Sequence, residues 1–381
     1  MKILFTIADA NLNGGTEILA YNLLQELNKY GIECKLLSIQ KYTGKNPDVI
    51  SLPQKSAEKY FSIANNPLDK LIGRGFSDKF LHKEICKIAS KSGYGWIINH
   101  TYDLCAAIPV NKSFKTAQVF NWSIRGYEKS IEQVINKKGY ANRLLSKIGF
   151  NLMKRRWHNA FPRINKLIVL TNAAKEELKN ISSKIQDGQM FTIPDPIMYT
   201  KDAEKISTLN NKKVIFVGRL SFEKGVIRLL RIWKHISHIN PKYSLVIYGE
   251  GEAKNEMVEY ISTHNLSRVL FKGFCNNLEQ IYTNSDLLLM TSDSEGFGMV
   301  LIEAMYYGVP CISFDCPISP KEIIADAGVI VPCYNEKLYA EKVLELLNNN
   351  EYMRILQKRA IKQAQKYFIN NIIEQWKVLL K

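Results

Sequence analysis

The chain has 381 residues and a mass of 43.7 kDa, too much for one ordinary hydrophobic core and enough for two domains. With 46% hydrophobic and 23% charged residues it is neither disordered nor fibrous, and no apolar run nears the roughly 20 residues that span a bilayer. The formal net charge of +16 calls for a polyanionic partner: membrane surface, nucleic acid or phosphorylated ligand.

Residues 1–9 read as a first β-strand and lack the pattern of a signal peptide. Further strand-like runs follow at 33–39, 96–99, 116–120 and 167–170, then at 213–217, 244–248, 269–272, 287–290, 311–314 and 329–331. Helical patterns alternate with them, which predicts a parallel α/β architecture of two doubly wound domains. The break is expected in the polar stretch 200–211, just after Pro194-Asp195-Pro196. The expected domains are therefore 1–199 and 200–366, with 367–381 a terminal helix that could cross back to the first domain. Seven cysteines, none in a C-x-x-C pair, read as reduced core residues of a cytosolic protein.

The charge is unevenly placed. Up to Tyr199 there are 29 Lys+Arg and 16 Asp+Glu, a net +13, which leaves +3 for the rest. Residues 125–166 alone hold 11 basic residues against Glu128 and Glu132. Within them, 140–161 reads as a helix whose Ala141, Leu144, Leu145, Ile148 and Leu152 share an arc of about 100°. Arg143, Lys147 and Lys154 cluster on the other side. Two readings stay open: a helix packing its Leu and Ile on its own domain, or one lying on anionic lipid at roughly 1 kcal/mol per nearby cation. A nucleic-acid module is the third reading, but no helix-turn-helix, zinc finger or aromatic RNA-binding strand accompanies the charge.

Four glycine-bearing turns sit between strands and helices. The first is Gly14-Gly15-Thr16. The second is Gly218-Arg219-Leu220 with Glu223-Lys224-Gly225, where Arg219 offers a planar fork and Lys224 a mobile point charge to phosphate oxygens. Gly249-Glu250-Gly251 allows close backbone approach. Ser294-Glu295-Gly296-Phe297-Gly298 opens a helix that carries Glu303, so free N–H groups and the helix dipole favour an anion there. Glu295 and Glu303, as acceptor-only carboxylates, suit sugar hydroxyls. Any one of these turns alone is more often structural than functional; their joint arrangement is the signal.

In order and spacing these motifs resemble glycosyltransferase family 4, the retaining GT-B group, most densely over 211–331 and more weakly back to residue 1. The segment Cys311-Ile312-Ser313-Phe314-Asp315-Cys316-Pro317, followed by Pro320-Lys321-Glu322, is similar to the subgroup that builds bacterial surface glycans. The resemblance implies two facing Rossmann-like domains with an interdomain cleft. It implies that Arg219 and Lys224 hold the diphosphate of a nucleotide sugar, a UDP-sugar by resemblance, and that Gly15 and Gly249 approach the nucleotide closely. Glu303 would take the ribose hydroxyls and Glu295 the donor sugar, while the N–H groups of Phe297 and Gly298 would sit near the β-phosphate. His100 would contact the donor sugar. No metal or other cofactor is expected.

The chain departs from the family pattern at three places: Phe120 stands where a second histidine is common, Asp195 where asparagine is usual, and Ser319 where glycine is usual. The resulting expectation is a peripheral enzyme on the inner face of the cytoplasmic membrane. Its acceptor would be a glycan or lipid-linked glycan of cell-envelope polysaccharide or lipopolysaccharide, it would dock on anionic lipid through 125–166, and nucleic acid would not be a partner. A soluble GT-B enzyme making another glycoside is the alternative.

Overall fold

The computed structural model describes residues 1–12, 15–109, 112–136 and 140–381. Gly14 and the side chain of Ala141 lie outside the described residues. Two compact units divide the chain: Met1–Pro194 with Gln375–Lys381, and Asp195–Glu374.

In the first unit, seven strands form one all-parallel sheet: β1 (Lys2–Ile7), β2 (Glu33–Ser38), β3 (Val49–Ser51), β4 (Trp96–Asn99), β5 (Lys115–Phe120), β6 (Lys166–Val169) and β7 (Met190–Thr192). Their order is β3-β2-β1-β4-β5-β6-β7. The connecting helices are α1 (Gly15–Lys29), α2 (Gln54–Asn65), α3 (Pro67–Leu71), α4 (Gly75–Ser92), α5 (Ile124–Asn136), α6 (Tyr140–Ala160) and α7 (Asn172–Ile181). Central strands such as β4 are buried at every residue, as expected of a parallel sheet covered on both faces. The sequence pattern misses β3 and β7, which are three-residue strands at the two edges. Only partly covered, they carry little apolar signal.

The second unit holds β8 (Lys213–Val217), β9 (Ser244–Tyr248), β10 (Val269–Gly273), β11 (Leu287–Met290), β12 (Cys311–Phe314) and β13 (Gly328–Val331), again all parallel, in the order β10-β9-β8-β11-β12-β13. Its helices are α8 (Val226–Ile239), α9 (Lys254–Thr263), α10 (Leu278–Thr283), α11 (Met299–Tyr306), α12 (Pro320–Ile324), α13 (Glu336–Asn348), α14 (Asn350–Ala364) and the first half of α15 (Ile369–Leu380), whose second half belongs to the first unit. Helix α8 shows how sequence makes this layer: Val226, Leu229, Leu230, Trp233 and Ile236 recur at helical spacing and are all buried against the sheet.

The boundary falls ahead of the polar stretch 200–211. That stretch belongs to the second unit, where Ser207 donates to the Ser285 carbonyl and accepts Gln357 Nε2 on its own carbonyl at 2.7 Å. The last seven residues belong to the first unit, where the Trp96 indole N–H donates to the Leu380 carbonyl at 3.2 Å.

Helix α6 covers the predicted span but packs through another face. Phe150 and Trp157 are buried, and Trp157 sits in an aromatic cluster with Tyr102 and Tyr127. Leu144, Leu145, Ile148 and Leu152 are all exposed. The reading in which this stripe packs on its own domain is therefore corrected: aromatic side chains took the core-facing side. Among the described residues, no helix is long and apolar enough to cross a membrane.

Candidate functional site

In each sheet the chain reverses its direction of strand addition beside the first strand, between β1 and β4 in one unit and between β8 and β11 in the other. Loops leaving the carboxyl ends of such strand pairs diverge and open a crevice, the usual ligand position in doubly wound sheets. Most of the motif residues lie on these loops; Gly249 follows β9, and Glu303 lies in α11.

In the second unit the loops after β8, β9 and β11 are fastened together by backbone contact. Gly249 has φ +135, and a Cβ there would lie 1.9 Å from the Gly218 carbonyl oxygen, so only glycine lets these turns cross. Leu220 N–H donates to the Glu250 carbonyl at 2.9 Å across the same crossing. Gly225, at φ +65, is equally constrained: its Cβ would stand 2.1 Å from the Thr291 carbonyl oxygen. Thr291 Oγ1 in turn donates to the Lys224 carbonyl at 3.0 Å, and Asp293 N–H to the Glu223 carbonyl at 2.8 Å.

This stitching delivers Lys224 to Glu295. The ammonium lies 2.8 and 2.7 Å from the two carboxylate oxygens, and Ser292 Oγ donates to the same carboxylate at 2.5 Å. Glu295 is buried and Lys224 a quarter exposed, so solvent reaches the pair through the lysine. Arg219 is exposed on the rim and pairs with Glu223. It does not join Lys224 on one carboxylate.

Gly298, at φ +86, caps the amino end of α11, and Phe297 before it is buried edge-to-face against Tyr367. One helical stretch on, the half-buried Glu303 accepts a hydrogen bond from Tyr282 Oη at 2.9 Å. Burial raises the Glu303 pKa above the ordinary glutamate value, and the Tyr282 hydroxyl opposes that rise. The site thus offers a mobile cation, a helix amino terminus and two fixed carboxylates, chemistry that suits a diphosphate flanked by hydroxyl-bearing rings.

Ser319 keeps an ordinary backbone, φ −122, and the positive φ of that turn falls on Ile318 at +91.

In the first unit, His100 follows β4 and Gly15 opens α1 after β1. His100 is buried, and among the described residues neither ring nitrogen has a protein partner. It lines a small cavity of about 130 Å³ with Thr16, Glu17 and Asn121. Burial depresses its pKa to about 3, so the imidazole is neutral at pH 7 and can donate through one nitrogen and accept through the other. Gly15 is exposed, and among the described residues nothing lies within 4 Å of an added Cβ, so none of them demands a glycine there. Phe120 is buried edge-to-face on Phe161 at 5.3 Å and also lines the His100 cavity, so an apolar ring stands there in place of the absent histidine.

Sequence reasoning missed the residues that hold these groups. Tyr282 and Ser292 orient the two glutamates, and Arg228 ties the loop down through the Thr291 carbonyl at 2.7 Å and Asp293 at 2.7 Å. Nothing local marks Tyr282, which lies on a different element from Glu303. Arg228 could have been read as one more cation after Lys224. Among the described residues, no group of three or more His, Cys, Asp or Glu could hold a metal ion.

Residues 200–367 match the family model described as "Glycosyl transferases group 1". A Staphylococcus aureus TarM variant, solved with fondaparinux, α-GlcNAc-glycerol and UDP, superposes over 100% of this chain and 99% of its own with a TM-score of 0.73 at 16% identity. The chain has the GT-B fold. Among sequence relatives, the amylovoran biosynthesis glycosyltransferase AmsD of Erwinia amylovora is 32% identical over 56% of this chain and 62% of its own length. An uncharacterized glycosyltransferase of Haemophilus influenzae is 24% identical over 100% of this chain and 99% of its own. The chain therefore spans under two thirds of the first of these relatives and nearly all of the second. In this GT-B chain the family match falls on the unit that carries Lys224, Glu295 and Glu303.

Proposed function

We propose that this chain is a retaining glycosyltransferase. It moves a sugar from a UDP-sugar to a glycan or lipid-linked glycan acceptor in bacterial cell-envelope polysaccharide or lipopolysaccharide synthesis, without a metal ion. The carrying observation is the Lys224–Glu295 pair beside the α11 amino terminus, with Glu303 on the same helix. The matched family region and the UDP in the TarM structure support it.

Departure of the sugar leaves negative charge on the diphosphate. Lys224, Arg219 and the N–H groups of Phe297 and Gly298 stabilise that charge, the term usually largest in such reactions. Glu303 receives the ribose hydroxyls. Glu295 and neutral His100 receive sugar hydroxyls, and Gly15 and Gly249 let backbone close on the nucleotide. The leaving phosphate oxygen takes the proton of the incoming acceptor hydroxyl, so no dedicated base is needed. On the acceptor side, the +13 charge of the first 199 residues and the exposed apolar stripe of α6 support docking of 125–166 on the anionic inner face of the cytoplasmic membrane.

The test is a panel of nucleotide sugars assayed for donor hydrolysis and transfer with a chelator present, with the product anomer read by NMR. Turnover of one UDP-sugar with its anomeric configuration kept is expected. Absence of measurable UDP affinity overturns the reading.

A further inference from the structure

A second concave site lies wholly within the first unit. It is a cleft of about 1130 Å³ between α4, α6 and the segments that precede β6 and β7. Arg163 and Lys184 come shortly before those strands, hence at the amino ends of the sheet, whereas His100 and Gly15 follow strands at its carboxyl ends. The cleft is thus separate from the crevice described above.

Its lining is cationic. Lys79 and Lys83 come from α4, Arg163 from the short turn after α6, and Lys184 from the loop after α7. All four are exposed, and among the described residues none has an ion-pair partner. Asp78, the one carboxylate in the lining among the described residues, is buried and already engaged by Arg156 through Nε at 3.2 Å and a terminal nitrogen at 2.8 Å. Elsewhere the chain readily pairs its surface lysines: Lys87, one turn along α4 from Lys83, pairs with Glu84. Four like charges held around one hollow repel each other, and low-dielectric walls focus their potential inward. Phe80, Ala106 and Ile108 give the cleft an apolar part that a bare ion would leave empty.

We propose that this cleft binds an anion carrying two or more phosphate groups, with carbon between or beside them seated against Phe80 and Ile108. Such phosphates are supplied either by a phosphorylated glycan in solution or by lipid headgroups. The assignment is independent of the nucleotide-sugar reading, since it uses none of the residues placed there.

The test measures inorganic tripolyphosphate binding to the full chain by calorimetry at low salt, with UDP saturating. The comparison is wild type against Lys83→Glu/Arg163→Glu, with Lys79→Glu/Lys184→Glu as a second pair should the first fail to fold. We expect binding that weakens at least tenfold in either variant, while UDP affinity, measured separately, is unchanged. Equal tripolyphosphate affinity in wild type and a folded variant, or no binding by wild type, overturns the proposal. Vesicles containing phosphatidylglycerol separate the two sources. A parallel loss of vesicle binding in the variants assigns the phosphates to headgroups, and retained vesicle binding with lost tripolyphosphate binding assigns them to a soluble phosphorylated ligand. Should UDP fail to bind at all, the nucleotide-sugar reading falls and the cleft result still stands.

Discussion

Lys224 Nζ lies within 2.8 Å of both carboxylate oxygens of Glu295, so without a ligand the cation expected at a diphosphate neutralises a buried acid. Removing the lysine strands that carboxylate, whereas removing the glutamate leaves a flexible ammonium that can reach water. Breaking a buried pair costs about 3–5 kcal/mol, and the quarter exposure of Lys224 lets solvent screen much of it. Lys224→Ala is therefore expected to lose about 1–2 kcal/mol of stability, Glu295→Ala less, and the double variant less than the sum. Urea titrations of the cycle measure the coupling, and strictly additive losses would contradict the pairing. Both single variants should also lose transfer activity severely, as should Arg219→Ala, which leaves the core untouched.

Tyr282 acts through Glu303. Burial raises the Glu303 pKa and the tyrosine hydroxyl pulls it back, so nucleotide affinity should fall with decreasing pH, starting above the range of an ordinary glutamate. Tyr282→Phe removes the lowering contribution and moves that falling limb to higher pH. Glu303→Gln abolishes the limb and weakens affinity at every pH. Titrations of UDP affinity between pH 4 and 8 distinguish the three proteins. A Tyr282→Phe limb that coincides with wild type would exclude the positioning role.

The sequence carried the sheets and much of the candidate site because both rest on short-range pattern. Buried parallel strands are continuous apolar runs, and the loops after β8 and β9 are punctuated by glycines that the backbone crossing requires. It was blind where the deciding partner sits on another element. Nothing near Glu303 announces Tyr282, and nothing in α6 says that Phe150 and Trp157 outcompete its leucines for the core. Edge strands β3 and β7 escaped because three half-covered residues have no periodicity to read.

Asp195 makes stability pH-dependent near neutrality. It is buried, and desolvation raises its pKa to about 7. Because the folded pKa exceeds the unfolded one, the protein holds a proton that the unfolded chain releases, and stability is lost as pH rises through 7. For a group titrating there, the loss between pH 6 and 8 is roughly 1.4 kcal/mol. Asp195→Asn keeps the shape without the charge, so its stability should change less over that range and exceed wild type at pH 8. Chemical denaturation at both pH values checks this, and a wild-type protein as stable at pH 8 as at pH 6 would count against it.

The apolar stripe of α6 separates surface from core by a simple measurement. Leu144 is 56% exposed and Ile148 44%, and Leu152 continues the line. Substitution of exposed residues usually changes stability by no more than about 0.5 kcal/mol. Leu144→Ser/Ile148→Ser/Leu152→Ser should therefore melt close to wild type. If the stripe enters a bilayer, each lost side chain removes transfer energy on the order of 1 kcal/mol, and partition onto anionic vesicles should fall at least tenfold. Charge gives a second handle: Lys147 and Arg155 lie on the same helix and are exposed, so Lys147→Glu/Arg155→Glu should weaken vesicle binding most at low salt and little at high salt. Unchanged partition in both variants would leave the stripe without a membrane role. A triple variant that loses several kcal/mol would show instead that these side chains are covered in solution by protein.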